Sequence, residues 1–381
     1  LSHNKSVMIV AGEASGDIYG AHLVVAIKEL DPCIEFFGLG GPEMERVGVR
    51  IMHQLSAMAV VGMTEIVPKI RYIFRVSREL KQSLKVTPPD LLILIDYPGF
   101  NLHLAKKAHL LGIPVFYYIP PQVWAWREGR VRKIAKRVDR LAVILPFEKE
   151  FYRKHGLKAE YVGHPLLDIS SLTSDKEEIK EHLDINHNRT PILGLFPGSR
   201  DEEIGSLLPE MIGAAEIISH DFPHLYCVLP LASTVKENVV TSYIKNARID
   251  IRVGRLDTKE VLKIADLALI ASGTATLEAA IMETPMIIAY KVSFLSYILG
   301  RFLIKVSNIG LVNLVAGNAI VPELIQGKAT RLRLAEEALA ILRNEALKRD
   351  MKKGLKLVHE QLGQGGASKK AARIAGEMMG L

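Results

Sequence analysis

Two cysteines in 381 residues, Cys33 and Cys227, lie in apolar or mixed segments with no partner spacing. So few thiols exclude a disulfide framework or a cysteine zinc site and point to a reducing compartment. Asp and His pairs at metal-ligand spacing are also missing, so no tightly bound metal is expected. No uncharged apolar run reaches the roughly 20 residues that span a bilayer. The opening Leu1-Ser2-His3-Asn4-Lys5-Ser6 leads straight into a strand, without the h-region of a signal peptide. The Walker lysine is absent, and Gly12-Glu13-Ala14-Ser15-Gly16-Asp17 is not the G-x-G-x-x-G dinucleotide fingerprint. These absences leave a soluble or peripheral protein with no resident cofactor as the expectation.

What is present is globular: 49% hydrophobic and 24% charged residues. The length suggests two domains. A net charge of +7 favours polyanions, whether nucleic acid, phosphorylated small molecules or an anionic membrane. Part of the excess sits in Arg127, Arg130, Arg132, Lys133, Lys136 and Arg137, which spread around most of a helix. That reads equally as a solvated face or a binding patch, and no RNA-recognition or zinc-finger pattern accompanies it.

Strand and helix patterns alternate. Val7 to Ala11, Cys33 to Leu39, Leu91 to Ile95, Pro114 to Ile119, Leu141 to Leu145 and Glu160 to Val162 read as strands with helices between them. A polar stretch after Gly163-His164-Pro165 marks a junction, and the alternation restarts at Ile192. The expectation is a doubly wound α/β domain over residues 1–164 and a second over 165–381, the latter carrying a helical tail from Arg331. Two such domains would face each other across a cleft.

The run Leu92-Ile93-Leu94-Ile95 ends in Asp96, followed by Tyr97-Pro98-Gly99. A strand of this kind is buried on both faces, and its carboxyl end is where open α/β folds place ligands. Asp96 is therefore either a catalytic base at a cleft lip or a cap for a helix starting near Leu102. Phe196-Pro197-Gly198-Ser199-Arg200 joins strand to helix. Gly198 admits an anion to the backbone N–H groups, Ser199 adds a hydroxyl and Arg200 a planar fork; the alternative is a plain Pro-Gly turn. Ser272-Gly273-Thr274 repeats the device at a second strand end, and Glu278, one turn on, is placed to accept two ribose hydroxyls. Ile66, Ile70, Ile73 and Phe74 fall on one helical face beside Arg71, Arg75 and Arg78, the pattern of an interfacial helix or of an ordinary amphipathic one.

Six segments together resemble the lipid-A-disaccharide synthase family, from about Val7 to Gly317. They are Ala11-Gly12-Glu13-Ala14-Ser15-Gly16-Asp17, Gly38-Leu39-Gly40-Gly41-Pro42, Gln122-Val123-Trp124-Ala125-Trp126-Arg127, Leu145-Pro146-Phe147-Glu148, Pro197-Gly198-Ser199-Arg200 and Ala271-Ser272-Gly273-Thr274. The Glu-Ala-Ser-Gly-Asp and Val-Trp-Ala-Trp segments are specific to that family, while the other loops recur in other glycosyltransferases. The resemblance implies an inverting GT-B glycosyltransferase of two Rossmann-like domains. It would join UDP-2,3-diacylglucosamine to 2,3-diacylglucosamine 1-phosphate, giving a β-1,6-linked disaccharide 1-phosphate and UDP. It further implies cytoplasmic location with peripheral attachment to an inner membrane, and a homodimer is compatible with it. Asp96 resembles the family's proposed base, and Glu13 and Ser15 lie in the motif lining the acceptor side. Arg200, Glu278 and Asn313 resemble the UDP-binding set. Gly99 departs from relatives that carry a second acid in the Asp96 loop. Two other classes remain in view: a UDP-sugar 2-epimerase, which needs neither acceptor nor lipid contact, and a non-catalytic basic nucleotide- or RNA-binding protein.

Overall fold

The computed structural model describes residues 4–55, 66–126, 128–169, 174–186, 189–232, 235, 237–292 and 308–381. It divides into two units, Leu1–Asp168 with Leu362–Leu381, and Ile169–Gln361.

The first unit is built on seven parallel strands: β1 (Ser6–Ala11), β2 (Glu35–Gly40), β3 (Val49–Gln54), β4 (Leu91–Ile95), β5 (Val115–Tyr118), β6 (Arg140–Val143) and β7 (Ala159–Tyr161). Their order is β3-β2-β1-β4-β5-β6-β7. The chain winds outward in both directions from the β1–β4 pair, where Ala11 lies beside Ile95. All five residues of β4 are buried because side chains from both faces are covered. The loops after β1 and β4 therefore leave the sheet side by side at its topological switch point. The unforeseen strand is β3. Its sequence Val-Arg-Ile-Met-His-Gln exposes Arg50 and Gln54, and its pairing with β2 slips between Gly38 and Leu39.

The second unit has six parallel strands: β8 (Ile192–Phe196), β9 (Tyr226–Pro230), β10 (Ile251–Gly254), β11 (Leu267–Ala271), β12 (Met286–Tyr290) and β13 (Glu323–Ile325). The order β10-β9-β8-β11-β12-β13 puts its switch point between β8 and β11, with Ile270 beside Phe196. The helix Arg331–Arg343 packs on Asp201–Ser219, and Glu345–Gln361 packs on Ala275–Ile281 and Leu311–Ala316.

The division expected at 164/165, with the whole tail in the second half, differs from this one. The backbone N–H of His164 donates to the Leu362 carbonyl at 2.8 Å. The Asp168 carboxylate accepts from the N–H groups of Ala367 and Ser368 at 3.1 and 2.9 Å, capping the last helix, Ala367–Met379. That helix buries Ala371, Ala372, Ile374 and Ala375 and packs on the helix Ala14–Lys28. A face of small residues lets the two helices approach closely, and this contact draws the tail to the first unit.

Candidate functional site

At the β1–β4 switch point the chain turns abruptly. Asp96 and Tyr97 both adopt left-handed backbone, with φ of 45° and 46°. Two consecutive non-glycine residues in that region cost on the order of 1–3 kcal/mol each and persist only where surroundings over-determine them. Here the Asp96 N–H donates to the Ile119 carbonyl at 3.1 Å. The Asp96 carbonyl accepts from the Asn101 side-chain amide at 2.7 Å and from the Tyr117 hydroxyl at 2.6 Å. Asn101 also donates to the Ile95 carbonyl. Gly12 completes the clamp, since a Cβ there would lie 2.1 Å from the Tyr97 ring. Asn101 and Tyr117 were not singled out from sequence; Asn101 is one of several polar residues in its helix and Tyr117 one of two tyrosines in its strand.

This turn aims the Asp96 carboxyl away from capping duty. The helix Pro98–Leu110 starts directly at its proline, with Tyr97 as the preceding residue and no side-chain cap. The Asp96 carboxylate instead takes a hydrogen bond from the Tyr97 N–H. Burial and then the neighbouring Glu13 carboxylate push its pKa from 3.8 to about 6, the hydrogen bond opposing them. Glu13 and Ser15 are exposed at the start of the helix Ala14–Lys28. The fold thus supplies, from the loop after β1, the second carboxylate that Gly99 does not provide. A half-buried carboxylate poised near neutrality on a rigid turn is suited to accepting a proton.

Asp17, in the same motif, has a different task. It is 3% exposed, and its carboxylate accepts from the N–H groups of Gly41, Glu43 and Met44 at 2.8, 3.0 and 3.1 Å. It caps the helix Pro42–Arg46 rather than its own. A Cβ on Gly41 would lie 2.5 Å from Asp17 Oδ2, which explains the glycine there without a ligand. The Val-Trp-Ala-Trp segment is anchored similarly. The Trp124 indole N–H donates to Glu148 at 3.0 Å, and the Trp124 ring meets Phe147 edge-on at 4.8 Å. Glu148 is fully buried and lifted to about 7 by that burial, against hydrogen bonds from Trp124, Leu145 and Ile144.

At the β8–β11 switch point the loops Pro197–Arg200 and Ser272–Thr274 emerge from adjacent strands. Gly198 has φ of 110° and Arg200 precedes the helix Asp201–Ser219, its side chain 74% exposed. Glu203, unremarked in the sequence, reaches back into this loop. It accepts from the Ser199 N–H at 3.1 Å and meets the Arg200 guanidinium at 3.3 Å. It stands three residues after Arg200, in a first turn it shares with Asp201 and Glu202. The Tyr290 hydroxyl, at the end of β12, is pushed up by burial and by Glu203 and pulled down by Arg200. In the other loop Gly273 and Thr274 are exposed, and Ser272 donates from its hydroxyl to the Ile309 carbonyl at 3.4 Å. Glu278 follows in Ala275–Ile281; burial raises its pKa, with Lys259 opposing and Asp257 adding to the shift.

Asn313 is placed otherwise than the resemblance implies. It is fully buried, donating to the Val321 carbonyl at 2.9 Å and Glu323 at 2.7 Å, and accepting from the Ile320 and Val321 N–H groups. Glu323 in turn holds the Ile309 and Gly310 N–H groups. With its amide so committed, Asn313 shapes the Ile309–Gly310 segment that meets Ser272 instead of presenting a donor to a ligand. Arg71 and Phe74 are exposed, Phe74 at 71%, while Val76, Leu80 and Leu84 of the same helix, Ile66–Val86, enter the core. The side chains of Ile66 and Ile70 lie outside the described residues. Among the described residues no group of three or more His, Cys, Asp or Glu side chains is arranged to hold a metal ion. Among them, too, no helix is long and apolar enough to cross a membrane.

The profile of the family described as lipid-A-disaccharide synthetase matches residues 7–377. Lipid-A-disaccharide synthase of Syntrophus aciditrophicus is 47% identical over 98% of this chain and 97% of its own length. The Geobacter metallireducens protein of the same name is 44% identical, covering 99% and 98%. Among solved structures, a UDP-GlcNAc 2-epimerase from Neisseria meningitidis bound to UDP-GlcNAc superposes with a TM-score of 0.70 at 12% identity, over 98% of this chain and all of that one. A glycosyltransferase of kitacinnamycin gives 0.65 at 11%, over 99% and 100%. At such identities these two share the fold, a pair of Rossmann-like units of the GT-B kind, and the sequence relatives decide the rest: the chain belongs to the lipid-A-disaccharide synthase family.

Proposed function

We propose that the protein is an inverting hexosyltransferase that joins UDP-2,3-diacylglucosamine to 2,3-diacylglucosamine 1-phosphate, releasing UDP. The observation that carries the mechanism is Asp96, a carboxyl raised to about 6 on a clamped turn. It removes the proton of the acceptor 6-hydroxyl as that oxygen attacks the anomeric carbon. UDP is a good leaving group, so the second unit has only to stabilise charge growing on the diphosphate. Arg200 and the loop donors around Gly198, Ser199, Ser272, Gly273 and Thr274 do this, with Glu278 receiving the ribose. Glu13 and Ser15 line the acceptor side. A single displacement turns an α-linked donor into a β product.

Both substrates carry acyl chains, so the enzyme works as a peripheral protein at an anionic membrane. The helix Ile66–Val86 supports this reading. Beside the exposed Phe74, a groove of about 740 Å³ is lined by Arg71, Arg75, Arg78, Lys81, Lys85 and Lys107. Each cation near an anionic surface contributes about 1 kcal/mol of attraction. The Arg71→Glu, Arg75→Glu variant is therefore expected to lose at least tenfold in co-sedimentation with phosphatidylglycerol vesicles, by the same per-charge figure. Retention equal to wild type would place the membrane face elsewhere.

The reaction itself is tested by UDP release from UDP-2,3-diacylglucosamine with and without the monosaccharide 1-phosphate, no metal added. Acceptor-dependent release with a new disaccharide is the expected result. Turnover of a deacylated UDP-sugar without acceptor would favour epimerisation, and no turnover of either would favour a binding protein.

A further inference from the structure

We propose that Glu203 is an internal competitor for the donor's diphosphate: its carboxylate fills the anion loop after β8 and must leave before phosphate oxygens are held there. The inference rests on reading that loop as the diphosphate site. A carboxylate and a phosphate seek the same donors, a backbone N–H and a guanidinium fork. Glu203 takes both, with Oε2 on the Ser199 N–H and Oε1 against Arg200. Its approach is so close that a Cβ on Gly198 would lie 2.3 Å from Oε2.

Ordinary helix capping does not account for the arrangement. In a capping box the acid at the third helical position returns to the N–H of the cap residue itself. Here the cap residue is Arg200, and the Glu203 carboxylate passes it to reach Ser199, one residue deeper in the loop. The ion pair with Arg200 is largely exposed on the arginine side, so it holds the carboxylate only weakly. Glu203 thus neutralises Arg200 while the loop is empty, yields to a ligand with several anionic oxygens, and returns as UDP departs.

The test is calorimetric titration of the full chain with UDP and, separately, inorganic pyrophosphate. Glu203→Gln keeps a carbonyl oxygen for the Ser199 N–H but removes the competing charge. The expected result is tighter binding of both ligands, by about tenfold for the loss of one charge-assisted contact, with slower UDP release at an unchanged melting midpoint. Unchanged or weaker binding would overturn the inference and leave Glu203 a structural brace. Glu203→Ala separates the two further: tightening supports competition, weakening with a lowered melting midpoint supports the brace. Absence of UDP binding to the wild-type chain would instead overturn the diphosphate reading of the loop.

Discussion

Asp96→Asn is expected to lower kcat by about 10²- to 10⁴-fold, the range lost with a general base, while UDP titrates the variant as it does the wild type. The wild-type kcat/KM should be flat above about pH 6 and fall roughly tenfold per unit below it, because only the ionised carboxylate accepts a proton. Glu13→Gln removes the second cause of the raised pKa, so the acid limb should move to lower pH. The same shift has a stability consequence of opposite sense. The folded-state pKa lies above the ordinary value of 3.8, so ionised Asp96 destabilises the fold at pH above about 6, and the cost disappears as pH falls below 3.8. Asp96→Asn should accordingly stabilise the protein at pH 8, by up to about 3 kcal/mol at 1.36 kcal/mol per unit, and not at pH 3. Denaturant titration at both values checks this. Near-normal turnover of the variant would remove Asp96 from the chemistry.

Asp17→Asn is expected to fail in the opposite way, losing stability and keeping turnover. Three backbone N–H groups converge on this buried carboxylate. An asparagine has one acceptor oxygen and points an NH₂ at the remaining donors. Leaving buried donors unsatisfied costs about 1–3 kcal/mol each, and loss of a cap about 1 more. Partial relaxation of the Pro42–Arg46 turn brings the expected loss in urea unfolding to about 2–4 kcal/mol. At a temperature where the variant stays folded, kcat should remain within severalfold of wild type. Unchanged stability with collapsed turnover would mean that Asp17 meets substrate.

These two aspartates, one following β1 and the other following β4, show where sequence reading succeeds and where it stops. The apolar run of β4 announced Asp96 because a strand buried on both faces has a distinctive composition and an abrupt end. The left-handed turn was not legible: nothing in Asp-Tyr-Pro-Gly marks residues held by Asn101 and Tyr117 from elsewhere in the fold. The task of Asp17 was not legible because sequence distance is visible and spatial distance is not; its partners lie 24 to 27 residues on. Asn313 shows the same limit, since a motif match carries a position but not the direction of its amide. Edge strands β3 and β13 escaped notice because half-buried or very short strands lack the apolar signal that marked the central ones. Glu203 was hidden in an acidic first turn with Asp201 and Glu202, where any of the three reads as a helix-dipole partner.

The return of Leu362–Leu381 to the first unit has a consequence for how the protein comes into being. On the ribosome the second unit is complete once Gln361 has emerged, whereas the unit bearing Asp96 must wait for the last helix to reach Ala14–Lys28. Of the two units, the one whose sequence comes first is thus completed after the other. A stop codon near residue 361 would spare the whole second unit and strip the first of a helix and its Asp168 cap.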